Sequence, residues 1–223
     1  MTLAIFAVLS LLVAGKLQAG VVVGGTRFIF PADRESISIS LTNTSQESWL
    51  INSKINRPTR WAGGEVSTVP APLLAAPPLI LLKPGTTGTL RLLRTESDIL
   101  PVDRETLFEL SIASVPSGKV ENQSVKVAMR SVFKLFWRPE GLPGDPLEAY
   151  QQLRWTRNSQ GVQLTNPTPY YINLIQVSVN GKALSNVGVV PPKSQRQTSW
   201  CQAIAPCHVA WRAINDYGGL SAK

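Results

Sequence analysis

The sequence predicts an all-β protein of two small sandwich domains joined by a stiff hinge. Three observations carry that prediction. Strand signals outnumber helix signals along the whole chain. A stretch rich in proline and glycine interrupts them beyond the middle. One run, Val125 to Trp137, alternates apolar and polar residues for longer than any other.

The first domain is read from seven runs: Val21 to Phe30, Ser36 to Leu41, Ser48 to Ile55, Leu79 to Leu82, Thr89 to Leu93, Thr106 to Ile112 and Val125 to Trp137. Pro31-Ala32-Asp33, Asn43-Thr44-Ser45, Lys83-Pro84-Gly85 and Pro116-Ser117-Gly118 separate them with turn chemistry. Seven strands in roughly 120 residues is the count of an immunoglobulin-like sandwich, here without the inter-sheet cysteine pair of antibody domains. Between two of these strands, Pro77-Pro78 closes a sharp loop, so the Ala76–Pro77 bond is expected to be cis. In the last run Val125, Val127 and Met129, then Phe133, Leu135 and Trp137, share one face, with Lys126, Ala128 and Arg130 between the first of them. Residues 139–146 hold three prolines and two glycines, a linker that is stiff rather than floppy. Strand runs then resume: Leu153 to Thr156, Gly161 to Thr165, Tyr171 to Val179, Gly188 to Val190, Gln197 to Trp200 and His208 to Ile214. Asn180-Gly181 is a hairpin signal among them. No heptads, internal repeats or low-complexity tracts are evident.

Leu3 to Gly15 is apolar apart from Ser10 and is followed by Leu17-Gln18-Ala19. That is the h-region and small-residue cleavage site of an export signal, too short for a membrane-spanning helix. No Lys or Arg precedes it, and a non-cleaved anchor is the alternative. The organisation is therefore a signal peptide over 1–19, a first domain over 20–138, a hinge over 139–146 and a second domain over 147–223, with no membrane insertion once the signal leaves. In an exported chain Cys201 and Cys207 read as one disulfide. A metal site is not expected, because His208 adjoins Cys207 and no fourth ligand set is spaced to join them.

Formal charge is +8, one less once Lys16 leaves. The basic residues are scattered and no aromatic-basic motif accompanies them, so acidic proteins or a membrane surface fit better than nucleic acid. G-x-S-x-G, H-E-x-x-H, P-loop and dinucleotide motifs are all missing, and the carboxylates are too generic to nominate a catalytic pair. An enzyme is not expected, nor a cofactor.

Several segments in order resemble the periplasmic pilus chaperones of the chaperone–usher pathway, the PapD-like family. They are Gly25-Thr26-Arg27-Phe28-Ile29-Phe30-Pro31, Ala75-Ala76-Pro77-Pro78 with Leu82-Lys83-Pro84-Gly85 and Leu90-Arg91, and Pro101-Val102-Asp103-Arg104-Glu105-Thr106-Leu107-Phe108. The strand ending Lys134-Leu135-Phe136-Trp137-Arg138-Pro139 follows, then Asn166-Pro167-Thr168-Pro169-Tyr170-Tyr171 and Asn215-Asp216-Tyr217-Gly218-Gly219. The cysteines precede this last segment, whereas some relatives carry theirs after it. The chain also stops soon after Gly219, leaving little or no final strand. Pro116 to Ser124 is short, as in the subgroup that serves rod-forming pili.

The resemblance implies a boomerang-shaped periplasmic protein that binds, folds and caps pilin subunits and delivers them to an outer-membrane usher. Val125, Val127 and Met129 would be the apolar row lent to the subunit, a case of β-strand addition. The alternative for that row is packing into the chain's own sandwich. Arg27 and Lys134 correspond to the pair that grips the pilin's terminal carboxylate, which suits an Arg fork and a Lys ammonium. Strict alternation puts Lys134 on the face opposite the row, so either a bulge intervenes or the carboxylate comes from the other side. Glu105, Arg138 and Asp216 match an interdomain charge cluster. A two-domain adhesin or pilus subunit is the competing reading.

Overall fold

The computed structural model describes residues 20–59, 69–95, 100–118, 126–185, 187–202 and 206–221. The expected export signal and Val125 lie outside them. The first domain is built from β1 (Val21–Val23), β2 (Arg27–Pro31), β3 (Ser36–Asn43), β4 (Ser48–Asn56), β5 (Leu73–Ala76), β6 (Leu79–Leu82), β7 (Thr87–Arg94), β8 (Thr106–Ser117) and β9 (Met129–Arg138). A five-stranded sheet, β2-β9-β8-β4-β6, faces a four-stranded one, β1-β3-β7-β5. The inner faces meet in a core that includes Phe30, Ile39, Leu41, Ile51, Leu90, Leu92, Phe108, Leu110 and Leu135. Each such side chain contributes about 1.5–3 kcal/mol on burial. The Ala76–Pro77 bond is cis.

Two sequence expectations are corrected here. Val21 to Phe30 is not one strand. β1 pairs β3 in the smaller sheet, whereas β2 runs parallel to β9 in the larger. The switch happens at Gly24-Gly25, where a Cβ on Gly24 would lie 2.3 Å from Ser40 Oγ and 3.3 Å from the Ser40 carbonyl oxygen, so any other residue there would force the Ser40 side chain to move. Nor does the long final strand reach back to Val125. β9 starts at Met129, and Lys126 to Ala128 precede it without strand pairing.

The second domain follows a short 3-10 helix (Ala149–Gln152). It comprises β10 (Arg154–Asn158), β11 (Gly161–Asn166), β12 (Ile172–Val179), β13 (Lys182–Ala183), β14 (Val189–Val190), β15 (Ser194–Thr198) and β16 (Val209–Ala213). β10-β11-β15 forms one sheet, and β12 pairs with β13, β14 and β16 in the other. Val162, Leu164, Ile172, Leu174, Val177 and Val190 fill its separate core. The Cys201–Cys207 disulfide is formed.

The two domains share one local device that the sequence concealed. β3 ends at the buried Asn43, whose Nδ2 donates to the Glu47 and Leu82 carbonyls at 2.7 and 3.2 Å. Its Oδ1 accepts from the Ser45 amide and hydroxyl at 3.0 and 2.8 Å. β11 ends at the buried Asn166, whose Nδ2 donates to the Tyr170 and Pro191 carbonyls at 2.8 and 2.9 Å. Its Oδ1 accepts from the Thr168 amide and hydroxyl at 3.0 and 2.8 Å. The Leu-Thr-Asn-x-Ser/Thr string common to both is a repeat in hydrogen bonding where little repeat in sequence remains.

Candidate binding cleft and open strand edge

β9 is the centre of the site. Its register against β8 runs without interruption from Ser114↔Met129 to Thr106↔Trp137. On the other side β2 covers only the later half, from Arg27↔Lys134 to Pro31↔Arg138. Because the chain switches sheets just before Arg27, the edge of β9 from Met129 to Phe133 has no strand beside it among the described residues. Unpaired N–H and C=O groups along such an edge are a template for another strand.

Side-chain direction follows from the unbroken register. Leu135 and Trp137 enter the first domain's core and Phe133 packs on its rim, edge-on to Phe28 with ring centroids 5.7 Å apart. Met129 has the same parity but is 54% exposed, and Val127, ahead of the strand, is 62% exposed. The apolar row thus divides: its later members belong to the chain's own core and its described early members stand in solvent. No bulge turns Lys134 toward that row. Lys134 lies on the opposite face with Phe136, as strict alternation requires.

That opposite face meets the second domain. Phe136 and Leu107 pack against Val189, with Ile29 and Tyr171 alongside. Arg138 bridges the domains: Nε donates to Glu105 Oε1 at 2.7 Å and Nη1 to Asp216 Oδ2 at 2.7 Å. The other Glu105 oxygen accepts from the Tyr171 amide at 2.7 Å, and the Glu105 amide donates to the Pro169 carbonyl. Burial pushes the Glu105 carboxyl up, against the pull of Arg138 and the Tyr171 amide. For Arg138 burial opposes the charge, but Asp216 and Glu105 outweigh it and hold the guanidinium charged. With such short charge-assisted bonds on both carboxylate oxygens the pair is ionic. At the rim Lys193 Nζ donates to Asp103 Oδ2 at 2.8 Å, and Arg104 holds the same carboxylate. The hydroxyl of Tyr170 donates to the Leu142 and Gly144 carbonyls, tying the hinge to the second domain. Sequence reading missed Tyr171, Lys193 and the Ile214 carbonyl, since backbone partners and cross-domain neighbours leave no motif.

Arg27 and Lys134 sit side by side across the parallel pair, facing this cleft. Arg27 Nη1 donates to the Ile214 carbonyl at 2.9 Å, and its Nε is buried without a hydrogen-bond partner. Two cations in adjacent register repel. Burial, with the Arg27 charge added, pulls Lys134 down to about 8. The proton is therefore held less tightly in the folded chain than in the unfolded one. Lys134 accordingly favours stability progressively as pH rises from about 8 toward its ordinary 10.5. A carboxylate docked between the two cations reverses the shift, so docking takes up a proton above pH 8 and its affinity falls as pH rises further. Carboxylate-peptide titrations at pH 7 and 9.5, in two buffers of different ionisation heat, check this. Proton uptake is expected only at the higher pH.

Among the described residues no group of three His, Cys, Asp or Glu could hold a metal, and no helix is long and apolar enough to cross a membrane.

Comparison with known proteins identifies the family of the chain. Residues 20–143 match the PapD N-terminal domain of pili and flagellar-assembly chaperones, and residues 148–223 match the C-terminal domain of the pili assembly chaperone PapD. The chain is 97% identical to the fimbrial chaperone YcbF of Escherichia coli (strain K12), over 100% of this chain and 94% of that one. It is 32% identical to the chaperone FimC of the same strain, over 96% and 87%. Among solved structures, the periplasmic chaperone SfaE superposes with a TM-score of 0.72 at 30% identity, covering 91% of this chain and 97% of that one. The SafB chaperone complex with the SafA pilin of Salmonella enterica gives 0.74 at 30% identity, covering 94% and 96%.

Proposed function

Because the chain belongs to the PapD-like family of pilus-assembly chaperones, which are not enzymes, we propose that it captures pilin subunits in the periplasm by lending them β9 and passes them to an outer-membrane usher. Family membership in both halves argues against the adhesin or subunit reading. The observation that carries the proposal is where the open edge stops. A strand added beside Met129 to Phe133 and running toward Lys134 must end where β2 begins, because Arg27 already occupies the next place along β9. Its terminal carboxylate then arrives between Arg27 and Lys134. A subunit that lacks a strand exposes an apolar groove and unpaired backbone. Val125, Val127 and Met129 fill the groove, while the β9 edge satisfies the backbone. Anchoring the end fixes register, and a slip of one residue would turn every apolar side chain the wrong way. Residues 1–19 are the export signal in this reading, and the Arg138 cluster with Glu105 and Asp216 holds the domain angle. Delivery finds support in a second surface. Leu81, Leu50 and Val115 stand opposite one another across β6, β4 and β8, all exposed, on the side of β9 opposite its open edge. A loaded chaperone still offers this apolar row to an usher.

The test compares a subunit's C-terminal peptide as free acid and as amide. Amidation is expected to weaken binding to the wild type roughly 10- to 150-fold, the worth of about 1.5–3 kcal/mol for charged hydrogen bonds. Lys134→Ala should bind the acid more weakly and be nearly indifferent to amidation. Equal sensitivity of the two proteins would remove Lys134 from the anchor.

A further inference from the structure

We propose that Arg130 reads the subunit's tail, selecting an acidic side chain three residues before the last. The inference rests on the strand addition proposed above and names the chemistry of the strand that is added. In the unbroken β8–β9 register Arg130 has the parity of Lys134, so its side chain leaves the sheet on the cleft face, where the edge of β9 is open. Arg130 is exposed, stands opposite Ala113 on β8 with Asn52 beyond it on β4, and has no hydrogen bond or ion pair with any described residue. Its charged neighbours on this face are no help. Lys54 is exposed opposite Ser111, and Lys134 with Arg27 closes the far end. Along β8 the same face carries Glu109, with Glu105 just ahead of the strand, and both are buried and engaged. Glu109 accepts from the Thr59 amide at 2.8 Å, and Glu105 is held by Arg138 and the Tyr171 amide. An added strand therefore meets a cationic face whose described carboxylates are already taken.

The position in the subunit follows from the parallel register. β2 lies beside β9 with Arg27 next to Lys134, so the place next to Phe133 is the last an incoming strand can fill. Counting back residue by residue, the subunit's last residue lies beside Phe133, the next beside Val132, the next beside Ser131, and the one three before the last beside Arg130. Residues paired across two strands share a face, so that side chain leaves on the cleft side with the guanidinium. A carboxylate there is attracted and an ammonium repelled. One place earlier or later, the side chain turns to the other face of the sheet and leaves Arg130 behind. The Arg27 and Lys134 anchor reads the end of the chain; Arg130 reads a side chain at a fixed distance from it.

Labelled dodecapeptides of alternating valine and serine, identical but for Glu, Gln or Lys three residues before a free terminal carboxylate, test the proposal. They are titrated into the purified wild type and Arg130→Glu and followed by fluorescence anisotropy. The wild type should bind the Glu peptide about threefold more tightly than the Gln peptide and about tenfold more tightly than the Lys peptide, as befits one exposed cross-strand ion pair. The differences should shrink in about 1 M salt, where charges are screened within ~3 Å. Arg130→Glu should reverse the order of the three. With the Glu moved one place earlier, wild type and variant should bind alike. Equal binding of the three peptides, while amidation of the end still weakens each, would remove Arg130 from recognition and leave the anchor standing. Failure of every peptide to bind, or indifference to amidation, would overturn the anchor and with it the count that assigns Arg130 its partner.

Discussion

Val127→Asp is expected to end subunit capture while leaving the chaperone folded. Val127 is mostly exposed and precedes β9, so its replacement removes nothing from either core. Surface changes of that kind usually stay within about 0.5 kcal/mol of the parent. In the proposed complex the same position would enter an apolar groove, where an unpaired carboxylate costs several kcal/mol, on the order of a thousandfold in affinity. Co-expression with a pilin and purification from the periplasm should recover the subunit with wild type and lose it with the variant, at matched melting temperatures. A variant that fails to fold alone would place Val127 in the chain's own sandwich.

Arg138→Ala is expected to produce the largest loss of stability among the cleft variants, about 3 kcal/mol, near the lower end for a broken buried pair because the guanidinium keeps some solvent. It strands Glu105, which is buried and keeps only the Tyr171 amide as partner. The loss falls on the domain interface, so a single melting transition should split into two. Glu105 with no cation beside it has a raised folded pKa, so it binds a proton more readily folded than unfolded. The deficit must then shrink as pH falls toward ordinary carboxylate values. Adding Glu105→Gln should restore part of the stability at neutral pH by removing the stranded charge. Calorimetry of the single and double variants at pH 5 and 7.5 checks both statements, and a deficit that grows on acidification would contradict the assignment.

What the sequence made legible was whatever local pattern controls. The alternation of Phe133, Leu135 and Trp137 announced β9, and the proline-rich stretch announced the hinge. Cys201 and Cys207 announced their bond. What it hid depends on partners distant in the chain. Val21 to Phe30 reads as one apolar run because nothing local says that its halves pair with different sheets, although Gly24-Gly25 marks the spot in retrospect. β5 escaped notice because four residues between prolines give too short a period to recognise. Arg27 and Lys134 look like ordinary surface cations until β2 and β9 are placed in register, and only the family resemblance singled them out.

The halting of the open edge at Arg27 makes the cleft a length gauge. β9 offers five strand residues between its start and the cations, about 17 Å at the rise of a strand. On the function proposed above, a client would be accepted by how far its groove lies from its own last residue, not only by its apolar pattern. A chain with the right groove and a longer tail would drive that tail into β2, so its carboxylate could never reach the cleft. Polypeptides still emerging from a translocation pore have no free end to offer. On the proposed function, that geometry would reserve firm attachment for finished proteins, so that completion is inspected as well as sequence.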